Sequence, residues 1–222
     1  MIAISDLEFQ FPHSDFRIAV PSLKIARAER VAIIGPSGSG KTTLLHLIAG
    51  ILSPSRGTIR VQDGEMSVLG DAGRRAFRIA HIGLVFQSFE LVSYLDVFEN
   101  ILLPYRLNPA LRLTRGTTSR AEQLARHTGL EHRLRYFPHR LSQGEKQRVA
   151  ICRAMLPEPS LLLADEPTGN LDPSSKHRVV DLLFQQIEQT GATLLMVTHD
   201  TEIATRFPRV INCRDFAAGG AR

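Results

Sequence analysis

Segment 35–42 constrains the fold of this chain more than any other feature of the sequence, because it fits the pattern G-x-x-x-x-G-K-[ST] at every specified position. It follows a short apolar run at 31–34, which is typical of a buried strand, and it precedes helical spacing of apolar residues over 41–51. In a strand–turn–helix unit of this kind, glycines let backbone N–H groups face inward, and the helix directs its positive end to the same point. The sequence therefore predicts an α/β protein with a phosphate-binding turn.

The residue types of this turn indicate how it would hold a nucleotide. We expect the Lys41 ammonium to reach the β- and γ-phosphates and to act in catalysis, and the Thr42 hydroxyl to ligate Mg²⁺. The alternative is a glycine turn that binds nothing, but the full pattern rarely arises by chance. The residues expected to contact the nucleotide here are Gly35, Pro36, Ser37, Gly38, Ser39, Gly40, Lys41, Thr42 and Thr43. The turn alone does not distinguish kinases, GTPases, helicases and transporters.

Two adjacent acids end another apolar run. Residues 161–164 are all apolar, and Asp165 and Glu166 follow directly. Because strands of an open parallel sheet deliver their carboxyl ends to the ligand crevice, we expect Asp165 to hold the Mg²⁺ shell and Glu166 to polarise the attacking water as general base. A strand followed by a helix-capping acid is the alternative, and the phosphate-binding turn favours the catalytic interpretation. Two adjacent acids also argue against a GTPase or a nucleoside kinase.

A third feature is a helix start about twenty residues before the acid pair. Ser142 is followed three residues later by Glu145, which is the pattern of a capping box and predicts a helix through Met155. A capped helix start presents free N–H groups and the positive end of the helix dipole outward. It can therefore accept the γ-phosphate of a nucleotide that the same chain does not hold.

The two ends of the chain have strand patterns of different kinds. Apolar residues alternate over 2–11 and again over 16–25, which predicts antiparallel strands. Strand and helix patterns follow one another from 161 to 211, which predicts a mainly parallel sheet covered by helices.

The middle of the chain has a different character. We expect 96–155 to be a mostly helical insertion, with Pro104 and Pro109 punctuating its start. We therefore interpret the whole chain as one domain, with a core of 1–95 and 156–222 that includes the antiparallel strands, and a helical subdomain over about 96–155.

Composition narrows the class of protein without identifying it. The 222-residue chain is 43% hydrophobic and 22% charged, which is ordinary for a soluble globular protein. The two cysteines are too few for a disulfide framework and fit the reducing cytoplasm. We expect no signal peptide and no membrane span, so any membrane role would come through a partner. The formal charge of +5 does not by itself indicate nucleic acid, because arginine is spread through the chain.

Residues 141–145, Leu-Ser-Gln-Gly-Glu, resemble the LSGGQ signature of the ABC (ATP-binding cassette) ATPases. Three further motifs of that family occur in the family's order. Gln87 matches the Q-loop glutamine, Asp172 lies in a segment that resembles the D-loop, and His199 matches the switch histidine. The resemblance extends over essentially the whole chain.

The resemblance implies ATP and Mg²⁺ as ligands and assigns a role to each matching residue. Phe11 best matches the aromatic residue that stacks on adenine, and Phe9 is the alternative. Gln87 would coordinate Mg²⁺ and sense the membrane partner, and His199 would contact the γ-phosphate and help to arrange the attacking water. The remaining residues that it places at the nucleotide are Ser142, Gln143 and Gly144, which would close on the ATP of the other protomer, and Asp172.

The resemblance also implies a fold and partners. The expected fold is a P-loop NTPase of ABC type, with a mixed, mainly parallel core sheet, an antiparallel β subdomain and an inserted helical subdomain. The expected assembly is a homodimer around two ATP molecules that drives a separate integral membrane permease. The chain would then be cytoplasmic and peripheral on the inner face of the cell membrane, with no direct contact to nucleic acid.

Three stretches, 83–91, 99–104 and 164–172, resemble the lipoprotein-releasing and macrolide-efflux ATPases. Two alternatives remain: a cell-division ATPase of the same subgroup, and a soluble ABC ATPase acting on nucleic acid or ribosomes. The signature departs from the family pattern, because Gln143 replaces its first glycine and Glu145 its last glutamine. We expect Gln143 to weaken closure of the dimer without abolishing activity.

Overall fold

The computed structural model describes residues 1–108 and 111–216, which form nine strands and seven α-helices. The strands are β1 (Ile2–Gln10), β2 (Arg17–Ile25), β3 (Arg30–Ile34), β4 (Arg56–Val61), β5 (Gly64–Glu65), β6 (Ile82–Val85), β7 (Leu161–Asp165), β8 (Thr193–Thr198) and β9 (Arg209–Asn212). The helices are α1 (Lys41–Ile48), α2 (Asp71–His81), α3 (Val97–Leu107), α4 (Arg115–His127), α5 (Gln143–Met155), α6 (Pro173–Thr190) and α7 (Thr201–Ala204).

The alternating N-terminal segment forms an antiparallel sheet, as predicted. Its strand order is β2-β1-β4-β5, and Ile2 of the central strand pairs with Ile25 on one side and Val61 on the other. Alternate residues face the core on each side of an irregularity near the middle of both β1 and β2, and Ile4 and Val20 are fully buried. The period-two pattern therefore identified both the strands and their inner face.

The strand that precedes the phosphate-binding turn and the strand that ends in the acid pair belong to a second sheet, which is parallel. Its order is β6-β7-β8-β3-β9, so β8 lies between the strand that ends in the acids and the strand that precedes the glycine turn. Ile34 pairs with Thr198, and Asp165 pairs with Val197, so the three carboxyl ends lie side by side. The predicted fold class is confirmed, with the antiparallel strands in a sheet of their own.

Three hydrophobic clusters hold these layers together. One lies between the antiparallel sheet, α1 and one face of the parallel sheet, and a second lies between the opposite face and helices α5, α6 and α7. The third is built by the helices between β6 and β7, with Ile101, Val149 and Leu156 fully buried. The helix predicted from the capping box at Ser142 is confirmed, and it contributes residues to the second and third clusters.

Two helices differ from the expectations. Helix α2 was not predicted, and α3 runs through Pro104, which was expected to punctuate the start of the helical insertion. Helix α3 tolerates the proline because a capping box of Asp96 and Glu99 fixes its start and Ile101 anchors it in the core. Pro109 lies outside the described residues. Among 1–108 and 111–216, no helix is both long and apolar enough to cross a membrane.

Candidate nucleotide-hydrolysis site

A cavity of about 510 Å³ opens at the carboxyl ends of β3, β7 and β8. This edge of a parallel sheet is where side chains from several strands and loops converge. The residues that line the cavity are Phe11, Phe16, Ser37, Gly38, Gly40, Lys41, Thr42, Thr43, Gln87, Glu166 and His199.

The glycine turn delivers Lys41 to the floor of this cavity. Gly40 has φ +90°, and a Cβ atom there would lie 2.9 Å from Cζ of Phe16, so another residue would strain the backbone and displace the Phe16 ring. Helix α1 begins at the next residue, and the Lys41 side chain is buried. Its Nζ atom donates to the carbonyl oxygens of Gly35 at 2.8 Å and Pro36 at 2.9 Å. These two residues therefore support Lys41 from the wall of the turn.

Thr42 and Asp165 meet across the sheet. The Thr42 hydroxyl donates to Oδ1 of Asp165 at 3.0 Å, which joins the start of α1 to the end of β7. Burial raises the pKa of the Asp165 carboxyl, and the hydrogen bond from Thr42 and the nearby His46 oppose that rise. A hydroxyl and a carboxylate oxygen are the hard ligands that Mg²⁺ prefers. The two side chains therefore fit a magnesium site.

Glu166 faces the cavity from the other side of the acid pair. Its Oε1 lies 3.7 Å from Nζ of Lys41, and its Oε2 lies 2.9 Å from Nδ1 of His199. The backbone N–H of His199 donates to the same Oε2 at 3.2 Å. The carboxylate therefore stands between a buried cation and an imidazole. This arrangement suits a base that takes a proton from water beside a phosphate.

Gln87 completes the cavity from the loop after β6. The Asn170 amide donates to the backbone carbonyl of Gln87 at 2.9 Å. A Cβ atom on Gly169 would lie 2.8 Å from Nε2 of Gln87, so a larger residue at 169 would displace the glutamine side chain. The loop after the acid pair thus packs directly on Gln87.

Two aromatic side chains line the outer part of the cavity. Phe11 is 38% exposed, and its ring centroid lies 6.1 Å from that of Phe16. Phe9 is only 7% exposed and packs edge-on against Phe11 from the core side. Of the two candidates for adenine stacking, the geometry favours Phe11. Phe16 was missed, because in the sequence it is one more apolar residue of an alternating strand.

The signature residues lie apart from this cavity. Within the described part of the chain, Ser142, Gln143 and Gly144 do not line it, and Gln143 is exposed at the first turn of α5. The capping box is complete, since the Ser142 hydroxyl accepts from the backbone N–H of Glu145 at 3.2 Å and Glu145 Oε2 accepts from that of Ser142 at 2.8 Å.

Glu145 and Asp172 accept hydrogen bonds at the starts of α5 and α6 in their own protomer. The second oxygen of Glu145, Oε1, accepts from Nε of Arg133 at 2.9 Å, and the pKa of its carboxyl lies below the ordinary value, since these hydrogen bonds outweigh its partial burial. Both carboxylate oxygens of Glu145 are thus engaged within the protomer. Asp172 caps α6, because its Oδ1 accepts from the backbone N–H of Ser175 at 3.0 Å, and it is not among the residues that line the cavity.

The parallel sheet, the glycine turn before α1 and the acid pair facing it define a P-loop nucleoside triphosphatase. The family model described as ABC transporter matches residues 19–169, and the chain belongs to that family. It is an ATP-binding cassette and an ATPase.

Curated relatives agree over most of the chain. It is 39% identical to the ABC transporter ATP-binding protein YtrE of Bacillus subtilis, with 83% of this chain and 79% of YtrE covered. It is 38% identical to the lipoprotein-releasing system ATP-binding protein LolD of Hydrogenovibrio crunogenus, over 94% of this chain and 91% of LolD. It is 41% identical to the macrolide export ATP-binding/permease protein MacB of Rhodopirellula baltica, over 87% of this chain and 28% of MacB.

A solved structure shares the whole architecture. The dimeric structure of MJ0796, a bacterial ABC transporter cassette, superposes with a TM-score of 0.85 at 33% identity, covering 96% of this chain and 94% of that one. The expected resemblance to the lipoprotein-releasing and macrolide-efflux ATPases is confirmed at the level of sequence similarity.

Proposed function

We propose that this chain hydrolyses ATP as one half of a homodimer and that the dimer drives a separate integral membrane permease. The observation that carries the proposal is the division of the site. The phosphate-binding turn, the acid pair and His199 share one cavity, while the capped start of α5 at Ser142 lies outside it. A helix start of that kind binds phosphate well, and a second copy of the chain would supply the phosphate.

In this proposal each residue of the cavity has one task. Lys41 and the backbone of the glycine turn hold the β- and γ-phosphates, and Phe11 stacks on the adenine ring. Thr42, Gln87 and Asp165 hold Mg²⁺, which when bound neutralises charge on the phosphates. Glu166 accepts the proton of the attacking water.

His199 and the opposing protomer complete the arrangement. The hydrogen bond from the backbone N–H of His199 to Glu166 keeps the carboxylate oriented, and the imidazole contacts the γ-phosphate. The residues proposed to face the ATP of the partner are Ser142, Gln143, Gly144 and Asp172.

We also propose that the chain is divided into a core of 1–95 and 156–222 and a helical subdomain of about 96–155.

The proposal of a permease partner rests on the names of the relatives. LolD carries the name of a lipoprotein-releasing system, and MacB carries that of a macrolide export ATP-binding/permease protein. A chain of this kind would lie on the cytoplasmic face of the membrane through its partner. We expect the permease to select the substrate, since the cavity described above is proposed to hold the nucleotide.

The test is purification of the tagged full-length chain from detergent extract, together with the membrane protein encoded by a neighbouring gene. Stoichiometric copurification of an integral membrane protein, and stimulation of ATP turnover by it, are the expected results. Copurification with ribosomes or DNA, without a membrane protein, would contradict the transport assignment while leaving the ATPase assignment intact. A chain that stays monomeric with ATP, even when turnover is blocked, would contradict the dimer.

A further inference from the structure

Arg153 connects helix α5 to the loop that carries Gln87. It lies two residues before the end of the helix and is partly buried. Its Nη2 atom donates to the carbonyl oxygen of Phe89 at 2.7 Å, and its Nη1 donates to that of Glu90 at 2.5 Å. A guanidinium is suited to this geometry because its donors form a rigid, planar fork.

The two residues that Arg153 contacts have an uncommon backbone conformation. Phe89 has φ +63° and Glu90 has φ +48°, and neither is glycine. Residues with a Cβ atom reach this left-handed region only at an energetic cost, so the surrounding structure must hold them there. Local hydrogen bonds of the turn, from the Phe89 N–H to the carbonyl of Phe86 and from the Glu90 N–H to that of Ser88, contribute to this, and the hydrogen bonds from Arg153 to both carbonyls add a restraint from α5.

The held segment begins two residues after Gln87. On its other side, Gln87 is fixed by the amide of Asn170 and packs on Gly169, which belong to the loop after the acid pair. The position of Gln87 in the cavity therefore depends on two supports, one from the loop after β7 and one from α5. Only the second support reaches the helix that starts at Ser142.

We propose that Arg153 is a positioning residue for Gln87, which holds the strained turn at Phe89 and Glu90 and thereby sets the glutamine amide in the cavity. The start of α5 at Ser142 is eleven residues away, or about 16 Å along the helix at 1.5 Å per residue. The inference rests on the proposed function, because it takes Gln87 to act on bound Mg-ATP. The same helix then links the surface proposed to face the partner's nucleotide to the Gln87 of its own protomer.

The first test is Arg153→Lys in the full-length chain. A single ammonium cannot bond both carbonyls in the same fork, so backbone amides 88–91 are expected to exchange with deuterium at least about tenfold faster, with those of α1 unchanged. The turnover number, kcat, is expected to fall roughly 10- to 100-fold, as for a misplaced catalytic group, while KM for ATP stays within about twofold. Arg120→Lys is the matched control, since Arg120 also donates to a backbone carbonyl, that of Met155, but away from this loop.

The second test adds Glu90→Gly to the lysine variant. Glycine adopts positive φ without cost, so one of the two strained residues no longer needs the guanidinium, and kcat and slow exchange are expected to return about halfway. Glu90→Gln in the same background keeps the Cβ atom and should restore neither quantity. Glycine rescue would not follow from a general loss of packing.

The proposal is overturned if Arg153→Lys exchanges and turns over like the parent chain, or if the glycine and glutamine substitutions behave alike. It is also overturned if the lysine variant and the double variant both fail to fold, because Arg153 would then be a core residue without a specific role at Gln87. The exchange measurement needs no nucleotide. An altered exchange rate with no effect on turnover would therefore overturn the link to Gln87 while leaving the assignment of Glu166 and Lys41 untouched.

Discussion

Nδ1 of His199 lies 2.9 Å from Oε2 of Glu166, and the backbone N–H of His199 donates to the same oxygen. The two residues follow neighbouring parallel strands, β7 and β8, so the sheet itself fixes their separation. Oε1 of Glu166 faces the Lys41 ammonium. The carboxylate is thus held at both oxygens, which is what a base must have if it is to meet a water molecule in one orientation.

Glu166→Gln is expected to preserve ATP binding and to trap a nucleotide-bound dimer. The amide keeps the size of the carboxylate but cannot accept a proton, so turnover should fall by about 10²–10⁴-fold. Steady-state ATP hydrolysis and light scattering on a gel-filtration column with ATP measure the two effects. Glu202→Gln, at an exposed acid close to His199 in the sequence, is the control and should change neither quantity. Rapid turnover by the Glu166 variant would remove this residue from its role.

Lys41→Ala is expected to cause a strong loss of nucleotide binding. A hydrogen bond from a charged donor contributes about 1.5–3 kcal/mol, so losing one such bond to phosphate weakens affinity at least about tenfold. Isothermal titration with a non-hydrolysable ATP analogue measures the change. Lys24→Ala, at an exposed position of β2, serves as the control. Unchanged affinity in the Lys41 variant would contradict the assignment of the turn.

Substitution of Phe11 and Phe9 separates a binding role from a core role. Base–aromatic stacking contributes about 1–3 kcal/mol, so Phe11→Ala should weaken ATP affinity by roughly 5- to 150-fold with little change in stability. Phe9 is buried, and Phe9→Ala should instead lower the free energy of unfolding by about 3–5 kcal/mol. Chemical denaturation and nucleotide titration on both variants give the comparison. The reverse pattern would assign the adenine to Phe9.

Most of the fold followed from local sequence patterns. The period-two strands, the glycine turn before α1 and the capping box at Ser142 each depend on residues close in the chain, and all three are present as predicted. Helix α2 was missed because it is short and mostly polar: it is amphipathic, but Phe77 and Ile79 are its only large apolar residues, so no long apolar pattern marks it. Helix α3 lies within the segment predicted to be mostly helical, and it continues through Pro104 because tertiary anchoring in the helical core prevails over the local preference of proline.

Residues of the candidate site were predicted where they belong to a sequence motif, and they were missed where only the fold brings them together. The hydrogen bond from Thr42 to Asp165 spans 123 positions of sequence, yet both partners carry a recognisable pattern. Phe16 and Arg153 carry none: one is an apolar residue in a strand, and the other is an arginine in a helix. Their positions beside Gly40 and Phe89 depend on packing between elements, which no local pattern records.

Gln143→Gly is expected to strengthen dimer closure. Gln143 is exposed at the first turn of α5, where its side chain occupies space that an approaching nucleotide would need. Glycine costs at most about 1 kcal/mol of helix stability there, and the intact capping box limits that loss. In the Glu166→Gln background, the ATP concentration that half-saturates dimer formation should fall severalfold. Gln123→Gly, at an exposed position of α4, controls for the loss of helix propensity. An unchanged dimer and an unchanged ATPase rate would show that the prediction is wrong.

Asp165→Asn is expected to stabilise the nucleotide-free protein while removing Mg²⁺-dependent turnover. Burial raises the pKa of Asp165, so its ionised form is disfavoured in the folded state, and at pH values above that pKa the charge lowers the stability of the fold. The neutral amide avoids this cost and can still accept the hydrogen bond from Thr42. The melting temperature at pH 8 should therefore be higher for the variant than for the parent chain. As the pH falls through the raised pKa, Asp165 of the parent chain becomes protonated, and the difference in melting temperature between the two chains should narrow.

Thermal unfolding of both chains from pH 8 to pH 4, without Mg²⁺, measures this trend. Asp71→Asn, at an exposed acid, is the control. A variant that is less stable than the parent chain at every pH would contradict the burial argument, and retained Mg²⁺-dependent turnover would contradict the metal role.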